Sequence, residues 1–141
     1  MRKMTRSECL AFLAEGTRTG KLATVRPDGR PHVAPIWFVV EDESLVFNTW
    51  HTSVKARNLT ADPRAALTVD LQELPFAYVI VEGTVEITDD LAEVRRIATV
   101  VGGRYMGTER AEEFGARNGV DGELALRLRL DKLIGADEVS A

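Results

Sequence analysis

The sequence predicts a mainly β domain, a small antiparallel barrel with peripheral helices. Segments with strand character recur along the chain, and the early ones join through tight turns. Helical segments interrupt only the later strands, so the regular βαβ alternation of a parallel sheet is missing. Residues 78–87 alternate in polarity around Gly83, which marks a bulge or sharp bend of the kind a small barrel needs at a corner.

The elements follow in order. Thr5 and Glu8 stand at capping-box spacing before a stripe of Cys9, Leu10, Phe12 and Leu13, so a short helix is expected there, ending near Gly16. Residues 21–26 form a strand, Pro27, Asp28, Gly29 and Arg30 form a turn, and residues 31–40 return as the second strand of a hairpin. That second strand is apolar on both phases, with Val33, Trp37 and Val39 on one and Ala34, Ile36, Phe38 and Val40 on the other. A strand apolar on both faces needs cover on both faces, from the core on one side and from a helix, a ligand or a second subunit on the other. Pro35 inside it marks an edge, a bulge or a stop in pairing.

Residues 45–49 are the next strand, and a short helix capped by Ser53 runs to about Thr60, where Asp62 and Pro63 stop it. Residues 65–71 and 78–87 are strands around a loop at 72–76. On the second of these, Val79, Val81, Val85 and Ile87 share a face. Thr88 is placed to cap the longest helix, with a buried stripe of Leu91, Val94, Ile97, Ala98 and Val101 and an end at Gly102 and Gly103. A second short helix is expected at 109–117 and a last strand at 123–131, with a polar tail from Ala136.

The chain has 141 residues, 45% of them hydrophobic and 28% charged, which suits one globular domain spanning 1–141 with a core that needs neither disulfide nor metal. The net charge of −4, with both signs dispersed, argues against a nucleic-acid partner. No basic run suggests a membrane surface, and the start of the chain has neither a long apolar segment nor a cleavage signal. The single cysteine, Cys9, fits a reducing, cytoplasmic setting. The two histidines and Cys9 lack metal-ligand spacing. No dinucleotide fingerprint, P-loop, G-x-S-x-G or H-E-x-x-H motif is present, so no catalytic residue is assigned.

One corner stands out. The strand ending at Thr49 delivers Thr52 and Ser53 to a helix start where Lys55 and Arg57 follow. Cations at a helix N-terminus oppose its dipole, whereas an anion there would accept the free N–H groups, the hydroxyls and both charges. Two readings stay open: a phosphate site, or a solvated helix with ordinary cations. A flat ring with a phosphate tail would use this corner together with backbone exposed beside Pro35, and the redox chemistry would then belong to the cofactor.

The blocks from Thr19 to Phe38, from Ser53 through Asn58 to Arg64, from Val81 to Thr84, and Arg104, Tyr105, Met106 and Gly107 resemble a known family. They are similar to the flavin and deazaflavin split-barrel proteins related to pyridoxamine 5'-phosphate oxidase. Within these they resemble the coenzyme F-420-dependent oxidoreductase branch of actinobacteria. The resemblance implies a six-stranded antiparallel split barrel of FMN-binding type and a homodimer with cofactor sites at the interface. It implies hydride transfer between reduced F-420 and a conjugated small-molecule substrate. FMN is the alternative cofactor, and a non-catalytic flavin, deazaflavin or haem carrier is the alternative role. It further implies that the backbone of Val33, Ala34, Pro35, Ile36 and Trp37 holds the ring, and that Thr49, Ser53, Lys55 and Asn58 contact phosphate, with Arg57 as a further contact. The partner chain would contribute from the strand near Tyr78 to Glu82, with Arg127 and Arg129 left open. Two features depart from the family pattern. Trp50 and His51 are bulky, and Glu82 replaces an arginine carried by several relatives, which removes a cation from the implied interface.

Overall fold

The computed structural model describes residues 1–141. Its elements are β1 (Arg2–Lys3), α1 (Arg6–Ala14), β2 (Gly20–Val25), β3 (Pro31–Ile36), β4 (Val39–Glu41), β5 (Ser44–Trp50), α2 (Val54–Ala61), β6 (Arg64–Leu71), β7 (Ala77–Thr88), α3 (Leu91–Met106), α4 (Ala111–Asn118), β8 (Glu123–Arg129) and β9 (Lys132–Asp137). Every strand pairing is antiparallel.

The sheet turns around β7. One edge of β7 pairs with β6 along Ala77–Thr84, while the other edge pairs with β9 at Tyr78–Glu82 and then with β8 at Val85–Thr88. Gly83 sits where the neighbour changes. A Cβ there would collide with the Arg129 carbonyl, so this crossing admits only glycine. The β6–β7 register stays continuous through Gly83, so the bend is a close approach between strands and not a bulge.

The main path of the sheet runs β3-β2-β6-β7-β8-β5-β4. Its two end strands, β3 and β4, are consecutive in the chain and separated only by Trp37 and Phe38. So short a link spans at most about 11 Å, which forces the sheet to curl until its ends meet. The ends do not pair with each other. The barrel therefore has a seam, and the expected antiparallel split-barrel architecture is the observed one, with seven strands on its path and β1 and β9 beside it where six strands were expected.

The barrel interior is filled by a cluster that includes Phe38, Phe47, Leu22, Leu67, Val79, Val81, Leu126 and Leu128. A smaller cluster of Val46, Val94, Ile97, Val101 and Ala125 seats α3 on the outside of β5 and β8. The α1 capping box is present, with Glu8 N donating to Thr5 Oγ1 at 3.2 Å and Thr5 N donating to Glu8 Oε1 at 2.9 Å.

Several boundaries differ from the sequence expectation. The run at 31–40 is broken at the seam. Thr88 accepts from Asp90 N at 3.1 Å, but the helix begins at Leu91 behind Asp90, and Leu91 itself is exposed. The helix also continues through Gly102 and Gly103 to Met106, because these glycines face Phe114 and Ala111 and give α4 its docking surface. The tail is structured: β9 pairs with β7 and β1, and Ser140 N bonds the Pro75 carbonyl at 3.0 Å. No helix is long and apolar enough to cross a membrane.

Candidate cofactor cleft

The corner that follows β5 is built as its sequence suggests. Ser53 caps α2, accepting from Ala56 N at 3.2 Å, and its Oγ lies 2.9 Å from Thr49 Oγ1. A hydroxyl accepts two bonds and donates one. With Thr49 as donor to Ser53, the serine proton remains free for a ligand. His51 Nδ1 lies 3.0 Å from the Gly122 carbonyl, which only accepts, so this nitrogen carries the proton and ties the corner to the start of β8.

Lys55 points from this corner into a cleft of about 280 Å³ at the barrel seam. Pro35, Ile36 and Trp37 line the same cleft. The opposite wall is α3 and α4, with Phe114 and Asn118 facing in, and Asn48 joins Lys55 as a polar group on the barrel side. Asn48 Nδ2 donates to the carbonyls of Val94 and Leu124, both at 3.3 Å, which fixes its amide. The Lys55 ammonium is half-buried, and burial holds its pKa below the ordinary 10.5, opposed by the field of Glu123. Burial likewise pushes the Glu123 carboxyl above its usual range, opposed by Lys55. No hydrogen bond acts on Lys55; only that distant carboxylate does. A half-buried ammonium facing a cleft without a close partner is suited to an incoming anion.

The remaining expected site residues, Val33, Ala34, Thr49, Ser53, Arg57 and Asn58, do not line this cleft. Val33, 66% exposed, faces outward from β3, and Ala34 stands opposite Leu22 in the ladder. Thr49 is buried behind Ser53. Asn58 is also buried, its amide donating to Thr24 Oγ1 at 3.0 Å, and so it braces α2 against β2. Arg57 faces a separate groove of about 290 Å³, shared with Arg26, Arg30, Val54 and Asn58, so two of the expected phosphate contacts meet there and not in the cleft. Residues two apart on a helix lie about 200° apart around its axis, so Lys55 and Arg57 cannot serve one small anion side by side. Arg127 is held inside the chain by Ser44 Oγ at 2.6 Å and Glu41 Oε1 at 3.0 Å, whereas Arg129 is more exposed.

Sequence reasoning did not find Asn48, Phe114 and Asn118. Asn48 had a usable signal, since asparagine is disfavoured inside a strand unless its amide is employed. Phe114 and Asn118 reach the cleft only through the packing of α4 on α3, which no local pattern reveals.

The chain matches the family model for pyridoxamine 5'-phosphate oxidase over residues 5–132. Among solved structures it is similar to the conserved hypothetical protein Rv2991 from Mycobacterium tuberculosis, with 27% identity, a TM-score of 0.84, and coverage of 97% of this chain and 87% of that one. It is also similar to a protein named F420 reductase, with 31% identity, a TM-score of 0.68, and coverage of 86% and 93%. An FAD-binding protein from Mesorhizobium loti shares the fold at 21% identity and a TM-score of 0.71, with 95% of each chain covered.

Proposed function

We propose that this chain, which belongs to the pyridoxamine 5'-phosphate oxidase family, is an oxidoreductase that holds coenzyme F-420 in the seam cleft and reduces a conjugated small molecule. The observation that carries the reading is the cleft itself. It brings Pro35, Ile36 and Trp37, the shelf expected for a flat ring, into one space with Lys55, the cation expected for a phosphate. F-420 is preferred to FMN because the 31% identical relative that spans most of both chains is named an F420 reductase. FMN, which would use the same shelf and cation, is the alternative.

The residues fit such a group. Lys55 offers an ammonium without a close partner, Ser53 a hydroxyl at a capped helix start, and Trp37 and Phe114 apolar walls. The bound deazaflavin would supply the hydride, so the chain needs no acid–base pair of its own for that transfer. The chain's part is to hold the phosphate at Lys55, lay the ring against the seam, and keep water from the apolar side of the cleft.

The cleft alone is too small for the whole cofactor. Its volume of about 280 Å³ lies below the roughly 300–1,000 Å³ of pockets that enclose a small molecule. A second copy of the chain would complete it. The outer face of the sheet supports this part of the proposal: Val33 is 66% and Ile134 39% exposed, and Ala23, opposite Val33 in the ladder, floors with Ala66 a depression of about 580 Å³ rimmed by Arg64, Glu82, Asp131 and Lys132. A cytoplasmic setting, which the lone buried Cys9 suits, goes with this reading.

Titration with F-420 and with FMN, followed by fluorescence and absorbance, tests it. The reading expects saturable F-420 binding, with reoxidation of reduced F-420 when a conjugated acceptor is added. Saturable FMN binding without F-420 binding transfers the reading to the flavin. Binding of neither overturns it.

A further inference from the structure

We propose that Arg104 and Tyr105, at the end of α3, are positioning residues for the ring shelf: they lock the β3–β4 seam and hold the Trp37 indole as a fixed plate at the cleft. The proposal rests on the reading of the cleft as a flat-ring site.

Phe38 is fully buried at the seam, between the last residue of β3 and the first of β4. With no ladder across the seam, its backbone polar groups need other partners. Two adjacent side chains of α3 supply them. Phe38 N donates to Tyr105 Oη at 3.3 Å, and Arg104 Nη1 donates to the Phe38 carbonyl at 2.6 Å. The same residues grip the connection between α1 and β2. Arg104 donates to the carbonyls of Leu13 at 2.9 Å and Gly16 at 3.0 Å, and Tyr105 Oη donates to that of Arg18 at 2.9 Å.

The consequence falls on the neighbouring Trp37. Its ring stacks on Tyr105 with centroids 4.9 Å apart and planes 3° from parallel. The indole is still 40% exposed and lines the cleft, whereas Arg104 and Tyr105 do not line it. A plate whose plane is already set costs less to order when a flat ring settles on it. Arg104 and Tyr105 thus act on a ligand only through Trp37.

The test uses a Trp50→Phe background, in which Trp37 is the one remaining tryptophan of the two in the chain. Acrylamide quenching and near-ultraviolet circular dichroism report the plate, and titration with F-420 and with the deazaflavin ring fragment lacking phosphate reports binding. Tyr105→Leu is expected to raise quenching, lower the dichroism and weaken both ligands by a similar factor, roughly tenfold, since the lost preorganisation acts on the ring. Tyr105→Phe, which retains the stack but takes the hydroxyl from Phe38 N and the Arg18 carbonyl, is expected to fall between wild type and Tyr105→Leu. Lys55→Ala is expected to weaken F-420 while sparing the ring fragment and the Trp37 signals. Trp37→Leu removes the plate from a half-exposed position and gives the same loss of ring affinity even where Tyr105→Leu fails to fold. Full ring affinity in Trp37→Leu, or in a folded Tyr105→Leu protein whose Trp37 signals have changed, overturns the proposal alone. Absence of any ring binding by the parent protein overturns it together with the functional reading.

Discussion

Lys55 is the residue on which the cleft depends. It is half-buried, it faces Pro35 and Trp37, and its field partner Glu123 is too far away for an ion pair. Lys55→Ala should weaken F-420 or FMN binding by roughly 1.5–3 kcal/mol, the worth of one charged hydrogen bond, as read from titration. Arg57→Ala, on the other flank of α2, should weaken it less. The pH dependence has a definite sign. Burial lowers the Lys55 pKa below 10.5, so the ammonium is lost, and phosphate affinity with it, at a lower pH than an exposed lysine would give. Dissociation constants measured from pH 7 upward should rise earlier for the wild type than for Lys55→Arg. The corner was legible in the sequence because capping chemistry is local: Ser53 caps α2 as its position suggests. What was not legible was the direction each cation takes. Helical geometry turns Lys55 inward and Arg57 away, and Asn58 is spent on Thr24.

At the level of elements, the crossing of β7 and β8 decides where the sheet bends. Gly83→Ala would set a methyl group against the Arg129 carbonyl. It should cost about 1–3 kcal/mol of stability, as overpacking of a rigid site does, measured by urea denaturation. The sequence marked Gly83 as a bend because glycine inside an alternating strand is a local signal. It did not mark β9, because residues 132–137 carry Gly135 and Ala136 and alternate poorly, and their strand state is set by pairing with β7. Pro35 did mark β3 as an edge or a stop in pairing, and β3 is the terminal strand, ending at Ile36, but the partners at the break were not legible. Arg104 and Phe38 are separated by 66 positions, and an apolar run gives no warning that a distant guanidinium will claim one of its carbonyls.

At the scale of the whole molecule, a partly exposed charged network lies on the other side of β4. Glu41 takes Arg96 at 2.7 Å and Arg127 at 3.0 Å, which joins β4, α3 and β8. The Arg96 hydrogen bonds, opposed by burial and assisted by Arg127, hold the Glu41 carboxyl down at about 2 instead of 4.5. A depressed carboxylate stabilises the fold above its unfolded pKa, and that stability is lost as pH falls through the folded value. Urea midpoints should therefore drop as pH falls from 4.5 toward 2, and Glu41→Gln should flatten that drop. The outer sheet face makes a separate prediction. With the second copy proposed above seated on this face, Val33→Asp combined with Ile134→Asp should convert that dimer to a monomer in sedimentation, and an unchanged mass would exclude this face as the interface. The curled sheet was foreseeable from early hairpins and helices inserted between the later strands, whereas its seam follows from β3 and β4 being both consecutive and terminal. The central claim is that one ligand occupies shelf and cation together. The most direct measurement is a crystal structure of the protein soaked with F-420. The account predicts its ring against Pro35, Ile36 and Trp37 and its phosphate on Lys55 and Ser53; a ring bound elsewhere, or a phosphate held by Arg57 with the cleft empty, would contradict it.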